Sequence, residues 1–181
     1  MEDKQYLTAD SLLEDSFALG HLILKSDFRP TFIVGIWRGG SPIAIAVHEL
    51  FSYLGHETKH CAIKTSSYDG MEQQKTVRVT GIEYLVENIK SSDCLLIIDD
   101  VFDTGLSIKA VLDDIKAHCA GNHPAEIKTA TVYFKPLKNQ TDITPDFYCH
   151  ETENWLVFPH ELKSCSAEEI KKNKGLCIPS P

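Results

Sequence analysis

No apolar stretch in the 181-residue sequence approaches the roughly 20 residues that a membrane-crossing helix needs. The acidic opening, MEDKQYLTAD, is followed by no signal-peptide apolar region, so a cytoplasmic location and no membrane partner are expected. The six cysteines, at 61, 94, 119, 149, 165 and 177, show no CxxC spacing and are expected as reduced thiols. Three of them adjoin a histidine, in His60-Cys61, His118-Cys119 and Cys149-His150, yet the spacing matches no zinc-ligand motif. Cations are scarce: 18 Lys and Arg stand against 26 Asp and Glu, for a net charge of −8. With no basic patch interleaved with aromatics, nucleic-acid binding is not expected. Internal repeats and low-complexity tracts are absent too. What remains is 43% hydrophobic and 24% charged, the composition of one soluble globular domain with a real core, spanning residues 1–181.

The chain is organised around Cys94 to Ala110, CLLIIDDVFDTGLSIKA. Leu95 to Ile98 run apolar without a break, as in a parallel strand covered on both faces. The run stops at Asp99 and Asp100, and a third acid follows at Asp103. Thr104, Gly105 and Ser107 make a polar turn, and Ile108, Ala110, Val111, Leu112 and Ile115 then repeat at helical spacing. The turn falls at the carboxyl end of the strand, where open α/β sheets bind ligands. Its hydroxyls, its glycine and the free N–H groups of a helix start suit a phosphate group. The upstream acids suit vicinal hydroxyls, a magnesium ion, or both.

A second strand–turn–helix precedes it. Thr31 to Ile36 reads as a short buried strand, and Trp37-Arg38-Gly39-Gly40 follows at its carboxyl end. Ser41-Pro42 then opens a helix through Leu54, with proline at a tolerated first-turn position. Two glycines allow close backbone approach or an unusual peptide, and Arg38 supplies a fixed cation for an anion. Before this, Leu7 to Lys25 is amphipathic, with Thr8 or Asp10 available as its cap. Thr58 to Thr65 is a third strand. Residues 66–80 form a polar segment in which Val77 and Val79 alternate with charges, as in a β-ribbon. Ile82 to Ile89 is expected as a helical turn, the helix after Asp103 to reach about His118, and Glu126 to Phe134 to form a further strand. This order gives an α/β fold, a central parallel sheet flanked by helices on both faces.

LLIIDDVFDTG closely resembles the phosphoribosyl pyrophosphate motif of the type I phosphoribosyltransferases: an apolar run, two acids, two apolar residues, a variable position, then Thr-Gly. Asp103 at the variable position resembles the 6-oxopurine branch, which acts on hypoxanthine, guanine or xanthine. Arg38-Gly39-Gly40 resembles the same family's pyrophosphate loop, which often holds a cis peptide. Residues 66–80 resemble its flexible active-site lid, with Ser67-Tyr68 matching a Ser-Tyr pair. Tyr133-Phe134-Lys135-Pro136 and Asn154-Trp155-Leu156, with Phe158-Pro159 and Glu161 beyond, resemble the bacterial xanthine–guanine type. His160 departs from that pattern, where an aromatic residue is common. The resemblance covers about residues 30–161, leaving out the first helix and the tail.

The resemblance implies a core over about 30–135 and a small hood over about 136–162. It implies transfer of a phosphoribosyl group from phosphoribosyl pyrophosphate to a 6-oxopurine base, with Mg²⁺ and a homo-oligomer, dimer or tetramer. Asp99 and Asp100 would hold the ribose hydroxyls and Mg²⁺, and Glu161 would reach a second Mg²⁺ through water. Arg38, the Gly39 backbone and Lys75 would stabilise the departing pyrophosphate. Thr104, Gly105, Leu106, Ser107 and Ile108 would anchor the 5′-phosphate. Lys135 would donate to the purine 6-oxygen, the Trp155 ring would stack on the base, and backbone near Leu156 would read its edge. Asp103 would be the general base at the purine N7. Two alternatives stand beside this reading. One is a regulatory protein of the same fold that senses a nucleotide without turnover. The other, phosphoribosyl pyrophosphate synthesis, needs a duplicated chain for which 181 residues are too few.

Overall fold

The computed structural model describes residues 4–69, 75–119, 121–163 and 165–178. Its strands are β1 (Lys4–Tyr6), β2 (Phe32–Trp37), β3 (Lys59–Asp69), β4 (Lys75–Thr80), β5 (Cys94–Phe102), β6 (Glu126–Phe134), β7 (Phe147–Glu151) and β8 (Trp155–Val157). The helices are α1 (Ala9–Lys25), α2 (Gly40–Tyr53), α3 (Glu83–Asn88), α4 (Leu106–His118) and α5 (Ala167–Lys174). Six strands form the main sheet in the order β4-β3-β2-β5-β6-β7, and β1 pairs separately with β8. All main-sheet pairs are parallel except β3 with β4.

The apolar run of β5 explains why the sheet is covered twice. Leu96 and Ile98 pack with Leu19 and Ile23 of α1 and Ile43 and Val47 of α2 on one face. Leu95 and Ile97 pack with Leu85 of α3 and Ile108, Val111 and Ile115 of α4 on the other. All four strand residues are fully buried, each contributing about 1.5–3 kcal/mol of hydrophobic stabilisation. The alternation of side chains along a strand divides one continuous apolar run between two cores. The parallel α/β expectation therefore holds, with β4 as the antiparallel exception.

Beyond shifts of a residue at element ends, the structure departs from the sequence reading in four places. α1 starts at Ala9 rather than Leu7, because Thr8 and Ser11 cap it reciprocally: each hydroxyl accepts from the other residue's backbone N–H. β3 runs on past Thr65 to Asp69, since antiparallel pairing with β4 (Lys64 opposite Thr80, Asp69 opposite Lys75) supplies its hydrogen bonds. This is the ribbon expected over 66–80; residues 70–74 of it lie outside the described residues. Phe147–Glu151, inside the stretch expected as a hood, joins the main sheet as edge strand β7 against β6. β1 has no counterpart in the sequence reading, since three residues carry no readable period.

Candidate functional site

Parallel pairing places the carboxyl ends of β2, β5 and β6 at one edge of the sheet. Chain order reverses between β2 and β5, where open α/β sheets form their ligand crevice. Arg38, Asp99 to Asp103 and Lys135 all emerge there, each from the tip of one of these strands.

At the tip of β2 the Trp37–Arg38 peptide is cis. Gly39 and Gly40 then lie directly against the end of β5. A Cβ on Gly39 would fall on the Asp100 carboxylate, and one on Gly40 on the Ile98 carbonyl. Only glycine lets the loop sit this close to the acids. The two acids are held by backbone: Asp99 Oδ1 accepts from the Asp100 N–H at 2.9 Å, and Asp100 Oδ1 from the Val101 N–H at 2.8 Å. Burial, and then the charge of Asp100, push the Asp99 carboxyl well above the ordinary carboxylate range. Burial likewise raises Asp100 to about 6, with Glu161 adding its charge.

This crowding has a stability cost that pH reveals. A raised carboxyl pKa means that the folded state binds a proton more tightly than the unfolded chain. Stability is therefore lost as pH rises from the ordinary value of an Asp carboxyl, 3.8, through about 6. Asp100→Asn keeps an acceptor for Val101 and removes the charge. The ligand-free variant should be more stable than wild type at pH 8 by about 1–3 kcal/mol, with the gain vanishing near pH 4. Urea unfolding at both pH values checks this; no gain at pH 8, or the same gain at pH 4, would sink it.

The turn after β5 presents the free N–H groups of a helix start. Gly105 adopts a left-handed φ of 78° as the residue preceding α4, and no side chain caps the helix. Thr104 Oγ1 lies 3.4 Å from the Leu106 N–H. A cavity of about 60 Å³ here is lined by Asp99, Asp103, Thr104, Gly105, Ser107 and Ile108, among others. A Cβ on Gly105 would strike Thr141 Oγ1 at 2.6 Å and the Phe102 ring at 2.7 Å. The Gln140 N–H also donates to the Thr104 carbonyl at 2.9 Å. Thr141 and Gln140, which buttress this turn, have no signature in the sequence.

Beside it lies a second cavity, about 280 Å³, lined by Asp100, Val101, Asp103, Lys135, Lys138, Trp155, Leu156, Phe158 and Glu161. Lys135 is only 5% exposed, and its Nζ stands 3.5 Å from Asp103 Oδ2. The other oxygen, Asp103 Oδ1, is buried without a hydrogen-bond partner. Trp155 is 46% exposed, an aromatic face left open to the cavity rim. Leu156, which lines the same cavity, is buried. Glu161 Oε2 accepts from the Phe158 N–H at 3.2 Å, which fixes the Phe158–Glu161 turn. His160 Nε2 lies 4.0 Å from Asp100 Oδ2, so the residue that departs from the family pattern sits at the acid pair. Burial pushes its imidazole pKa down.

Arg38, Gly39, Asp99, Asp100, Asp103, residues 104–108, Lys135, Trp155, Leu156 and Glu161 thus gather at one edge. Ser67 and Tyr68 lie in β3 and Lys75 opens β4; the roles expected of their side chains lie outside the described residues. Sequence reasoning missed Lys138 and Val101 as lining residues and the buttress at 140–141.

A parallel sheet with a glycine turn at a helix start, an acid pair and a glycine loop at its crevice has the layout of an α/β protein whose ligand site lies at its strand ends. The phosphoribosyl transferase domain model matches residues 12–165, and the chain belongs to that family. The match takes in most of α1, which the motif resemblance had left out. A hypoxanthine-guanine phosphoribosyltransferase of Streptococcus agalactiae serotype V is 27% identical over 136 residues, covering 74% of this chain and 71% of that protein. The crystal structure of a purine phosphoribosyltransferase from Pyrococcus horikoshii Ot3 is similar at 29% identity with a TM-score of 0.70, covering 88% of this chain and 95% of that one. A hypothetical protein from Neisseria gonorrhoeae, solved with bound ppGpp, shares the fold with a TM-score of 0.78 at 17% identity over 97% of each chain.

Proposed function

We propose that this protein transfers the 5-phosphoribosyl group from phosphoribosyl pyrophosphate to a 6-oxopurine base, releasing pyrophosphate and a purine nucleotide in purine salvage. The observation that carries the reading is the Asp103–Lys135 pair in the second cavity, which Trp155 also lines. An ammonium only donates hydrogen bonds, so Lys135 suits the carbonyl at the purine 6-position and not the amino group of adenine. Asp103 Oδ1, buried and unpartnered, is an acceptor in search of a donor, which a purine ring N–H supplies. Trp155 offers the stacking surface. The names of its relatives support the same base class.

The sugar falls between the two cavities. Asp99 and Asp100 accept from its vicinal hydroxyls, and the turn at 104–108 takes the 5′-phosphate on backbone N–H groups. As the bond from the anomeric carbon to pyrophosphate breaks, positive charge grows on the sugar and negative charge on the leaving group. Arg38 and the Gly39 N–H stabilise the latter. The new bond forms from a purine ring nitrogen to that carbon, and Asp103 takes the proton the ring gives up.

The donor set suits Mg²⁺. Burial raises both Asp99 and Asp100, and a cation beside them would favour their charged forms. Among the described residues no group of three or more His, Cys, Asp or Glu could hold an ion alone. Mg²⁺ keeps several waters and binds through one or two carboxylates plus substrate phosphates. Asp99, Asp100 and Glu161 would hold it from outside, and when bound it supplies charge neutralisation for pyrophosphate.

The test is a four-base assay with phosphoribosyl pyrophosphate and Mg²⁺. Hypoxanthine, guanine or xanthine should be converted and adenine barely. Adenine as best substrate would overturn the base assignment. Failure with all four would assign the fold to nucleotide sensing instead.

A further inference from the structure

The family match stops short of both ends of the chain: β1 lies before residue 12 and α5 after residue 165. These two appended pieces meet each other. Glu169 of α5 accepts from Lys4 Nζ at 2.8 Å and from the Tyr6 hydroxyl at 3.0 Å, both on β1. Those two donors, together with the Ser166 backbone N–H, hold the Glu169 carboxyl down at about 2. β1 is also the strand partner of β8: Lys4 pairs with Trp155, Gln5 with Leu156 and Tyr6 with Val157. The Leu7 N–H extends the ladder to the Val157 carbonyl at 3.0 Å.

From the far end of α5, Lys174 reaches back to the site. Its Nζ donates to the Phe158 carbonyl at 2.5 Å and to the Pro159 carbonyl at 3.2 Å. The Phe158 carbonyl also accepts from the Glu161 N–H at 3.0 Å. One ammonium therefore holds the two carbonyls of the turn that carries Phe158, His160 and Glu161. Phe158 and Glu161 line the second cavity, and His160 faces Asp100. A charge-assisted bond at this distance is among the stronger kinds that a protein makes. No other fixed element of the described residues is bonded to both carbonyls.

We propose that β1 and α5 form a clasp across the base-side wall of the site, and that Lys174 is a positioning residue for the Phe158–Glu161 turn. This rests on the reading of the second cavity as the base pocket. Lys174 does not itself line the cavity; it bonds the backbone of Phe158, which does. It acts through the turn, so its loss loosens the wall on which a base lies and leaves the Arg38 loop and the 104–108 turn alone.

The test uses the full chain with Lys174→Met, Lys174→Arg and Lys172→Met. Amide hydrogen exchange in the ligand-free protein and steady-state kinetics are both read. In Lys174→Met the Glu161 amide should exchange at least about tenfold faster, and the KM for the base should rise about tenfold. The KM for phosphoribosyl pyrophosphate should stay within about twofold of wild type. Lys174→Arg, which keeps the cation and its donors, should restore most of both losses. Lys172→Met, an exposed neighbour on α5, should change neither. A merely structural role would lower the melting temperature and move both KM values alike, and that result overturns the proposal. An unchanged Glu161 amide overturns it as well. Should the wild type convert no base, the base-pocket reading falls, and the exchange comparison still decides whether the clasp fixes the turn.

Discussion

Asp103→Asn is expected to lower turnover about 10²–10⁴-fold, the range for loss of a general acid or base, while the KM for phosphoribosyl pyrophosphate changes little. Asparagine keeps the size and one acceptor oxygen but takes no proton. A rival account would make Asp103 a helix cap, for which Asn is nearly as good. The structure removes that account: Gly105 precedes α4, Asp103 Oδ2 faces Lys135 and Asp103 Oδ1 has no hydrogen-bond partner, so neither oxygen caps the helix. A second rival makes Asp103 only the counter-charge of Lys135, 3.5 Å away. Asn would then leave a nine-tenths buried ammonium without its partner charge, and base binding and stability would suffer more than turnover. The two outcomes separate cleanly. A loss in turnover at saturating base marks proton transfer. A folded variant whose turnover at saturating base stays within a few-fold of wild type marks the counter-charge role. The smallest expected effect, about 10²-fold, corresponds to about 2.7 kcal/mol in barrier, well beyond assay error.

Gly40→Ala should damage the molecule out of proportion to its one methyl group. Its Cβ would meet the Ile98 carbonyl, the Asp99 Cα at 2.7 Å and the Ile98 carbonyl carbon at 3.0 Å. All three are backbone atoms of the central strand, so no rotamer change relieves the clash. Either α2 withdraws from β5 or the tip of β5 shifts. Overpacking of a close-packed site costs about 1–3 kcal/mol, and the upper end applies where backbone must move. A displacement of about 1 Å at reacting groups can cost about 10²-fold in rate. We expect a melting temperature lower by several degrees and turnover at or below about 1% of wild type. Scanning calorimetry with the same kinetic assay checks both. Wild-type stability with wild-type turnover would show that the loop has room the structure does not give it.

These two residues also show how much the sequence carried. Asp103 and Gly40 belong to local patterns, an apolar run ending in acids and a strand ending in Arg-Gly-Gly. Such patterns are legible because strand, turn and helix start are consecutive in the chain. The parallel sheet was legible for the same reason: Leu95 to Ile98 need cover on both faces, and only helices on both sides provide it. Lys135 and Trp155 carry no such local signal, and only the resemblance singled them out. Illegible features depend on partners distant in sequence. β1 is three residues long and becomes a strand only because β8, some 150 residues later, offers an edge. Thr141 matters because Gly105 leaves space that its hydroxyl reaches. Lys174 sits in a Lys-rich helix where Lys171 and Lys172 look equivalent to it, and only the fold of the Phe158–Glu161 turn sets it apart.

The alternation along β5 does more than share apolar residues between two cores. Asp99 continues the phase of Leu95 and Ile97, and it lines the small cavity with Thr104 and Ser107. Asp100 continues the phase of Leu96 and Ile98, and it lines the larger one with Lys135 and Trp155. The strand tip is thus a partition, with a chamber on either side and one acid assigned to each. Val101 and Asp103 belong to both chambers and form the doorway between them. On the proposed function, a sugar phosphate and a flat base would occupy separate rooms at once. The bond that joins them would then form at the doorway, where Asp103 stands.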